Sequence, residues 1–361
     1  MNRTVNIGII GCGGIANGKH MPSLAALPNA RMVAFCDIII EKAIDAAKKY
    51  GTPDARVYTD YKELLKDENI EAVHVLTPNR SHADISIEAL YAGKHVMCEK
   101  PMAKSAQDAR RMYEAAEKSG RKLTIGYQHR HKAQSRYAKE YIKSGALGEI
   151  YYANCYALRR RGTPNWGVFL NEEEQGGGPI IDIATHSLDL TLYLMDNYEP
   201  SIVLGKTHKK LEHPEAGNIW GDNGVSSTTL EEAACAMIIM KNGATILLET
   251  SWACNLSTPI AEGSCRLCGS RAGIEIINDK LLINKVEFDR QTQTEVDFSS
   301  GGVAFYSGKA TTAAAAEAKA WIQAIVDDTP PAVLPKEALI VSEILEAIYV
   351  SEKTGKAVYF E

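Results

Sequence analysis

The chain lacks most of what would mark it for a specialised environment. No apolar run approaches the roughly 18 residues of a membrane helix, so a helical membrane span is not expected. Positive charge is not in excess: 40 Lys and Arg stand against 45 Asp and Glu, a formal net charge of -5. No basic surface therefore argues for nucleic acid or anionic lipid as a partner. A disulfide framework is missing too. The eight cysteines are scattered, and Cys12, Cys36 and Cys98 fall at or near the ends of strand-like runs, the burial pattern of free thiols in a reducing compartment. Only Met1 to Thr4 precede the first apolar run, which leaves no room for a secretory signal. There is no internal repeat and no low-complexity linker. The expectation is a cytoplasmic globular protein.

What is present is an ordinary core composition, 45% hydrophobic and 24% charged, in 361 residues. At roughly 150 residues per domain this length implies about two domains. Strand-like runs at 5–10, 31–36, 72–76, 95–98 and 122–125 alternate with helical spacing at 41–50, 61–66, 83–92 and 106–119. Strands apolar throughout, separated by helices, predict a parallel sheet covered on both faces, with its ligand crevice beyond the carboxyl ends of the strands. The pattern changes after Gly126. Strand candidates at 149–158, 233–240, 244–252, 265–268, 274–277 and 281–286 are joined by short turns, and helices are expected at 311–326 and 336–351. Lys241-Asn242-Gly243-Ala244 signals a hairpin in which Asn-Gly supplies the two positive φ angles of a type I′ turn. The fold expected is a doubly wound parallel sheet over residues 1–125 and an α+β domain with a large, mostly antiparallel open sheet over 126–361. The free face of such a sheet predicts a homo-oligomer, a dimer or tetramer.

Ile9-Ile10-Gly11-Cys12-Gly13-Gly14-Ile15-Ala16 places Gly-x-Gly-x-x-Ala directly after the first strand. Gly11 permits a tight turn, Gly13 lets the backbone approach a pyrophosphate, and Ala16 allows close packing of helix on strand. Gly18 and Pro22 predict an irregular first helix. Asp37 ends the second strand, where a carboxylate accepts both ribose hydroxyls of NAD and repels the 2′-phosphate of NADP. Ile38 and Ile39 follow it, with no adjacent cation for that phosphate, so NAD is the expected cofactor.

Two further segments carry chemistry. Cys98-Glu99-Lys100-Pro101 ends a strand on the same edge as the glycine loop. The Lys100 ammonium is placed to hydrogen-bond a substrate hydroxyl as negative charge develops on it, and the proline makes a cis bond a candidate. Gly176-Gly177-Gly178-Pro179 precedes helical spacing in which Asp182, His186 and Asp189 stand at i, i+4 and i+7 on one face. A histidine with a carboxylate one turn before it suits general base catalysis near neutral pH; a structural His–Asp pair is the competing reading. Cys265-x-x-Cys268 has the spacing of a metal knuckle, but no second pair exists and a strand there points the two thiols to opposite faces, so no metal site is expected.

Taken in order, the glycine loop, Thr77-Pro78-Asn79, Glu99-Lys100-Pro101, Gly126-Tyr127-Gln128, Gly148-Glu149-Ile150 and Asp182-x-x-x-His186-x-x-Asp189 resemble the glucose–fructose oxidoreductase / inositol dehydrogenase / rhizopine catabolism (Gfo/Idh/MocA) family over essentially the whole chain. The resemblance implies a Rossmann nucleotide domain and a catalytic group of Lys100, Asp182 and His186. It also implies cofactor contacts from Gly11, Gly13, Gly14, Ile15, Asp37, Thr77, Pro78, Asn79, His82, Glu99, Lys100 and Gln128. Asp189 matches a position that contacts substrate hydroxyls. Arg159-Arg160-Arg161-Gly162 with Trp166-Gly167 resembles a branch acting on glucosides, including 3-oxidation, which adds Arg161 and Trp166 as substrate residues. The activity implied is NAD-dependent oxidation of a secondary hydroxyl of a sugar, glycoside or cyclitol. An NAD-dependent glycosidase working by transient oxidation and a non-catalytic sugar sensor are the rivals. The first lacks the Gly-Gly-His-Gly-Gly stretch of one such group here, and a sensor has no need of Lys100, Asp182 and His186 together.

Overall fold

The computed structural model describes residues 3–298 and 312–361. Its packing separates the chain into two units. One runs to Gln128 and takes back a C-terminal stretch ending at Leu339; the other starts at His129 and includes the residues from Ile340 onward.

In the first unit, six parallel strands are ordered β3-β2-β1-β4-β5-β6: β1 (Val5–Ile10), β2 (Ala30–Cys36), β3 (Arg56–Tyr58), β4 (Ala72–Val75), β5 (His95–Cys98) and β6 (Leu123–Ile125). The direction of travel reverses at β1, so the gap between β1 and β4 at their carboxyl ends is the topological switch point. Strand β3, too short and too exposed for an apolar run, is missing from the sequence reading. The helix Ala313–Val326, capped by Thr312 Oγ1 accepting from the Ala315 amide, returns to seal this unit. Its Trp321, Ile322 and Ile325 join Ile7, Ile9, Met21 and Leu24 in one buried cluster. Thr311, expected to begin this helix, lies outside the described residues.

The second unit holds nine strands ordered β14-β13-β12-β11-β7-β10-β9-β8-β15, antiparallel except for the β7–β10 pair. They are β7 (Ile150–Leu158), β8 (Pro200–His208), β9 (Ala233–Met240), β10 (Thr245–Ser251), β11 (Ile260–Gly269), β12 (Ala272–Ile277), β13 (Lys280–Glu287), β14 (Arg290–Glu295) and β15 (Val358–Tyr359). The helix Thr185–Met195 packs on β7 and β11. Strand β14, Arg-Gln-Thr-Gln-Thr-Glu, has no apolar alternation and was invisible in the sequence. Strand β8 was hidden by Pro200 and by Gly205, whose missing side chain admits Ile348.

The β9–β10 hairpin corrects the type I′ expectation. Only Gly243 has positive φ, 86°, its amide donates to Met240 O, and the Met240 amide donates to Ala244 O. This is a right-handed turn closed by a glycine bulge, which needs one left-handed residue rather than two. Cys265 and Cys268 lie in β11, the first buried and the second partly exposed, both as free thiols.

Candidate active site

In the nucleotide unit the chemistry-bearing loops all leave the carboxyl ends of parallel strands. Gly11 follows β1 with φ 92°, and a Cβ there would sit 2.7 Å from Leu76 O, so both conformation and space require glycine. A Cβ on Gly13 or Gly14 would meet nothing within 4 Å, which leaves that stretch of backbone open. The helix that follows starts irregularly, as Gly18 and Pro22 predict: a π-helical turn, Ala16–His20, precedes Met21–Ala25. Asn17 Nδ2 donates to Cys12 O and Gly13 O, tying down the carbonyls of the loop.

Asp37 does more than its position suggested. Its Oδ2 accepts from the Cys12 amide at 2.9 Å and its Oδ1 from the Ile39 amide at 2.9 Å, so the carboxylate pins the glycine loop to the end of β2. A carboxylate has about four acceptor sites; two used internally leave capacity for two ribose hydroxyls. The open glycine backbone, the helix start and this half-used carboxylate together fit NAD.

Thr77, Pro78 and Asn79 follow β4, and Asn79 opens the helix Asn79–Tyr91 one turn earlier than the apolar spacing showed. His82, expected beside the cofactor, is a buried strut. Its Nδ1 lies 2.9 Å from Pro101 O and its Nε2 2.8 Å from Thr77 O, so it links the loop after β4 to the loop after β5. Burial pushes its pKa below the ordinary histidine value. The Lys100–Pro101 peptide is cis. Lys100 is half-buried just past β5, and Gln128 opens a short 3-10 turn just past β6.

Glu99 is likewise turned inward. Its Oε1 accepts from Lys19 Nζ at 2.7 Å and lies 2.7 Å from His20 Nε2, and its Oε2 accepts from the Lys100 amide at 2.9 Å. Lys19 also pairs with Glu317 at 3.0 Å, and His20 Nδ1 lies 3.2 Å from His74 Nδ1. Burial works against the Glu99 charge, but Lys19 and His20 outweigh it and hold the carboxyl well below the usual carboxylate range. For Lys19, burial opposes the charge and Glu317 and Glu99 overcome it, so its ammonium is held above the usual range. For His74, burial together with the neighbouring His20 and Lys19 outweighs Glu99 and drives the pKa well below 6.5. Glu99, an expected cofactor contact, thus anchors the Lys100 loop. Lys19 and His20 were missed because nothing local shows that a π-helical turn buries them.

In the second unit the glycine run has a packing cause. A Cβ on Gly177 would collide with Tyr349 Oη, and one on Gly178 would fall 2.7 Å from Glu231 O. Glu231 Oε1 accepts from the Gly178 amide at 3.0 Å and from Tyr349 Oη at 2.7 Å, capping the start of the segment. Burial raises the pKa of Glu231, and burial with the neighbouring carboxylate raises that of Tyr349 well above its ordinary value.

The helix begins at Pro179 as expected, but its first turn, Ile180–Ala184, is π-helical before Thr185–Met195. The extra residue per turn disturbs the expected face, and the three predicted groups have different neighbours. Asp182 Oδ2 accepts from Trp252 Nε1 at 2.9 Å, with Arg159 Nη1 at 3.8 Å. The His186 ring meets His129 edge to face, centroids 4.8 Å apart. Asp189 is fully buried and bound by Arg130, Nη2 to Oδ1 at 2.6 Å and Nε to Oδ2 at 2.9 Å. Asp189, expected to contact substrate, sits in a buried ion pair joined by Tyr198 Oη. Arg161, the other expected substrate residue, donates from its guanidinium to Ala216 O, Arg160 O and Asn255 Oδ1. The arginine beside Asp182 is Arg159. His129 stands one residue past the Gly126-Tyr127-Gln128 motif; the signal for it lies in β11, where Gly263 (φ 77°) has no room for a Cβ against the His129 ring.

A family described as "Oxidoreductase family, NAD-binding Rossmann fold" matches residues 5–127, and its partner, "Oxidoreductase family, C-terminal alpha/beta domain", matches residues 139–360. The chain belongs to the Gfo/Idh/MocA oxidoreductase family. Its first unit is the NAD-binding Rossmann domain of that family, and the protein is an oxidoreductase. The D-glucoside 3-dehydrogenase of Escherichia coli (strain K12) is 35% identical over 269 residues, 74% of this chain and 76% of that protein. The levoglucosan dehydrogenase of Pseudarthrobacter phenanthrenivorans is 30% identical over 207 residues, 54% of this chain and 52% of the relative. Among solved structures, levoglucosan dehydrogenase in complex with NADH and levoglucosan superposes with a TM-score of 0.84 at 23% identity, covering 99% of each chain. That likeness shows the shared two-unit fold. Among the described residues no helix is long and apolar enough to cross a membrane.

Proposed function

We propose that this member of the family oxidises a secondary hydroxyl of a sugar or glycoside, with C3 of a glucoside as the position attacked. The observation that carries the reading is the environment of Asp182. An indole N–H donates to the carboxylate and a guanidinium lies 3.8 Å from it, four residues before a buried histidine. The 35% identity to a D-glucoside 3-dehydrogenase supports the substrate class. Lys100, Asp182 and His186 form the proposed catalytic group. His186 takes the proton of the hydroxyl, Asp182 steadies the charge that forms on the ring, and Lys100 donates a hydrogen bond to the same oxygen. Gly11, Gly13, Gly14, Ile15, Asp37, Thr77, Pro78, Asn79 and Gln128 are proposed to hold NAD. Bound there, NAD would supply the hydride acceptor for oxidation of the hydroxyl-bearing carbon to a ketone.

The second unit is proposed to carry the substrate site and to form a homo-oligomer through the open face of its sheet, where Leu204 and Met237 stand exposed and directly opposite each other. Buried free thiols at Cys12, Cys36, Cys98, Cys155 and Cys265 suit a reducing compartment, and the cytoplasm is the proposed location.

The test is a panel of methyl glucosides, free hexoses and inositols followed at the reduced nicotinamide band, with the product carbon assigned by NMR. Lys100→Met and His186→Ala should lower kcat by about 10²–10⁴ while NAD affinity is largely kept. Normal turnover by His186→Ala removes the mechanism. Release of aglycone without net NADH or keto product makes the protein a glycosidase, and the absence of any turnover with saturable sugar binding makes it a sensor.

A further inference from the structure

Two tryptophans of the second unit stand at the surface in a way that core packing does not explain. Trp166 is 48% exposed and Trp220 is 41% exposed, and their rings meet at 82° with centroids 4.7 Å apart. Phe169 closes the back of Trp166 at 5.4 Å. Left to water, this much indole surface is unfavourable.

The segments that present the two rings are firmly held. Asn165 Nδ2 donates to Trp220 O at 2.7 Å and to Gly221 O at 2.9 Å. Asn218 Oδ1 accepts from the Thr163 amide at 2.9 Å, while its Nδ2 donates to Thr163 O at 3.1 Å and to Gly221 O at 2.7 Å. Asn223 Nδ2 donates to Asn165 O at 2.5 Å. The Asn165 and Asn218 side chains are buried, and these bonds fix the loops against each other, so the corner between the rings is preformed. Preformed aromatic surface is what a binding site uses to avoid an ordering cost.

This corner is continuous with the carboxylate to which the proposed function assigns catalysis. The Arg159 guanidinium lies 5.8 Å from the centre of the Trp220 ring and 3.8 Å from Asp182 Oδ2. Arg159 also faces Glu262 at 3.4 Å. Arg159 thus stands between two carboxylates, so its own charge is balanced. What the corner offers is ring surface.

We propose that Trp166 and Trp220 form a subsite for the aglycone, and that the preferred substrates are neutral glycosides carrying a flat aromatic group rather than free sugars. This inference rests on the reading of the protein as a sugar dehydrogenase. The sugar ring reaches Asp182, and the group attached to it lies in the corner, packed against one indole face and one indole edge. Trp220, which the sequence did not single out, is then a specificity residue.

The experiment compares kcat/KM for phenyl and methyl glucosides of both anomeric configurations in the wild-type protein with NAD and in Trp220→Ala, Trp220→Phe and Trp166→Ala. The wild type should favour the phenyl glucoside by about tenfold, which an aromatic pair supplies. The preference should fall to about unity in the two alanine variants, through KM rather than kcat, and be largely kept in Trp220→Phe. Quenching of tryptophan fluorescence by phenyl glucoside, absent with methyl glucoside, reads the same corner without turnover. Equal use of both glucosides by the wild type, or a phenyl preference that survives both alanine variants, overturns the subsite while leaving the dehydrogenase reading intact. Saturable quenching without oxidation of any glycoside removes the dehydrogenase reading and keeps the subsite. A preference for a disaccharide over the phenyl glucoside also overturns the proposal, since the corner then holds a second sugar. If an alanine variant fails to fold, Trp220→Phe against Trp220→Leu reads the same preference.

Discussion

Replacing Glu99 with glutamine tests how the Lys100 loop is held. The carboxylate works because both oxygens accept: Oε1 meets Lys19 and His20, and Oε2 meets the Lys100 amide. An amide has one accepting end. Either its NH₂ faces the Lys19 ammonium and His20, or it faces the Lys100 N–H, and in both orientations two donors oppose each other. Lys19 is then left with Glu317 alone inside the unit. Breaking one partner of a buried ion pair costs about 3–5 kcal/mol. At about 2–4 °C per kcal/mol for a unit of this size, Glu99→Gln should lower Tm by roughly 10 °C at pH 7.5.

The pH dependence has a definite sign. The folded pKa of Glu99 lies well below 4.5, the ordinary value, so its stabilisation is complete above that value and is lost as pH falls toward the folded one. The gap in stability between wild type and Glu99→Gln, read by urea unfolding, should therefore be full at pH 7.5 and at pH 6 and should narrow below about pH 4.5. Turnover at a temperature where both proteins are folded should fall by about 10², because a misplaced Lys100 loses alignment. A variant with wild-type Tm, or a gap that does not change with pH, refutes the reasoning.

Three further outcomes are expected. Asp37→Ser removes the acceptor of the Cys12 and Ile39 amides as well as the repulsion of a 2′-phosphate, so the NAD-over-NADP ratio of kcat/KM should drop at least about tenfold; an unchanged ratio sinks the assignment. Gly263→Ala puts a methyl onto the His129 ring at positive φ, and a loss of activity larger than the loss of Tm would show that His129 is needed to place His186. Asp189→Asn should cost about 3–5 kcal/mol in chemical denaturation, since Arg130 is left buried without its counter-charge; a near-neutral effect would return Asp189 to the substrate-facing role.

The sequence alone was enough to place five of the six parallel strands, the glycine turn at Gly11, the carboxylate at Asp37, the edge from which Lys100 projects and the helix that carries Asp182 and His186. Each of these is a local matter: an apolar run, a turn that only glycine can make, a side chain a fixed number of residues from a strand end. The tertiary structure decided which polar groups face inward. Glu99, His82, Asp189 and Arg161, expected as ligand contacts, are bound to Lys19, Pro101, Arg130 and Asn255. It also recruited Trp252, Arg159, His129 and Trp220 from distant segments, and it returned the helix Ala313–Val326 to the nucleotide unit. The reason is physical. Periodicity in a chain reports which residues avoid water, whereas the partner of a buried charge is chosen by packing between segments tens to hundreds of residues apart, and no local pattern encodes that choice.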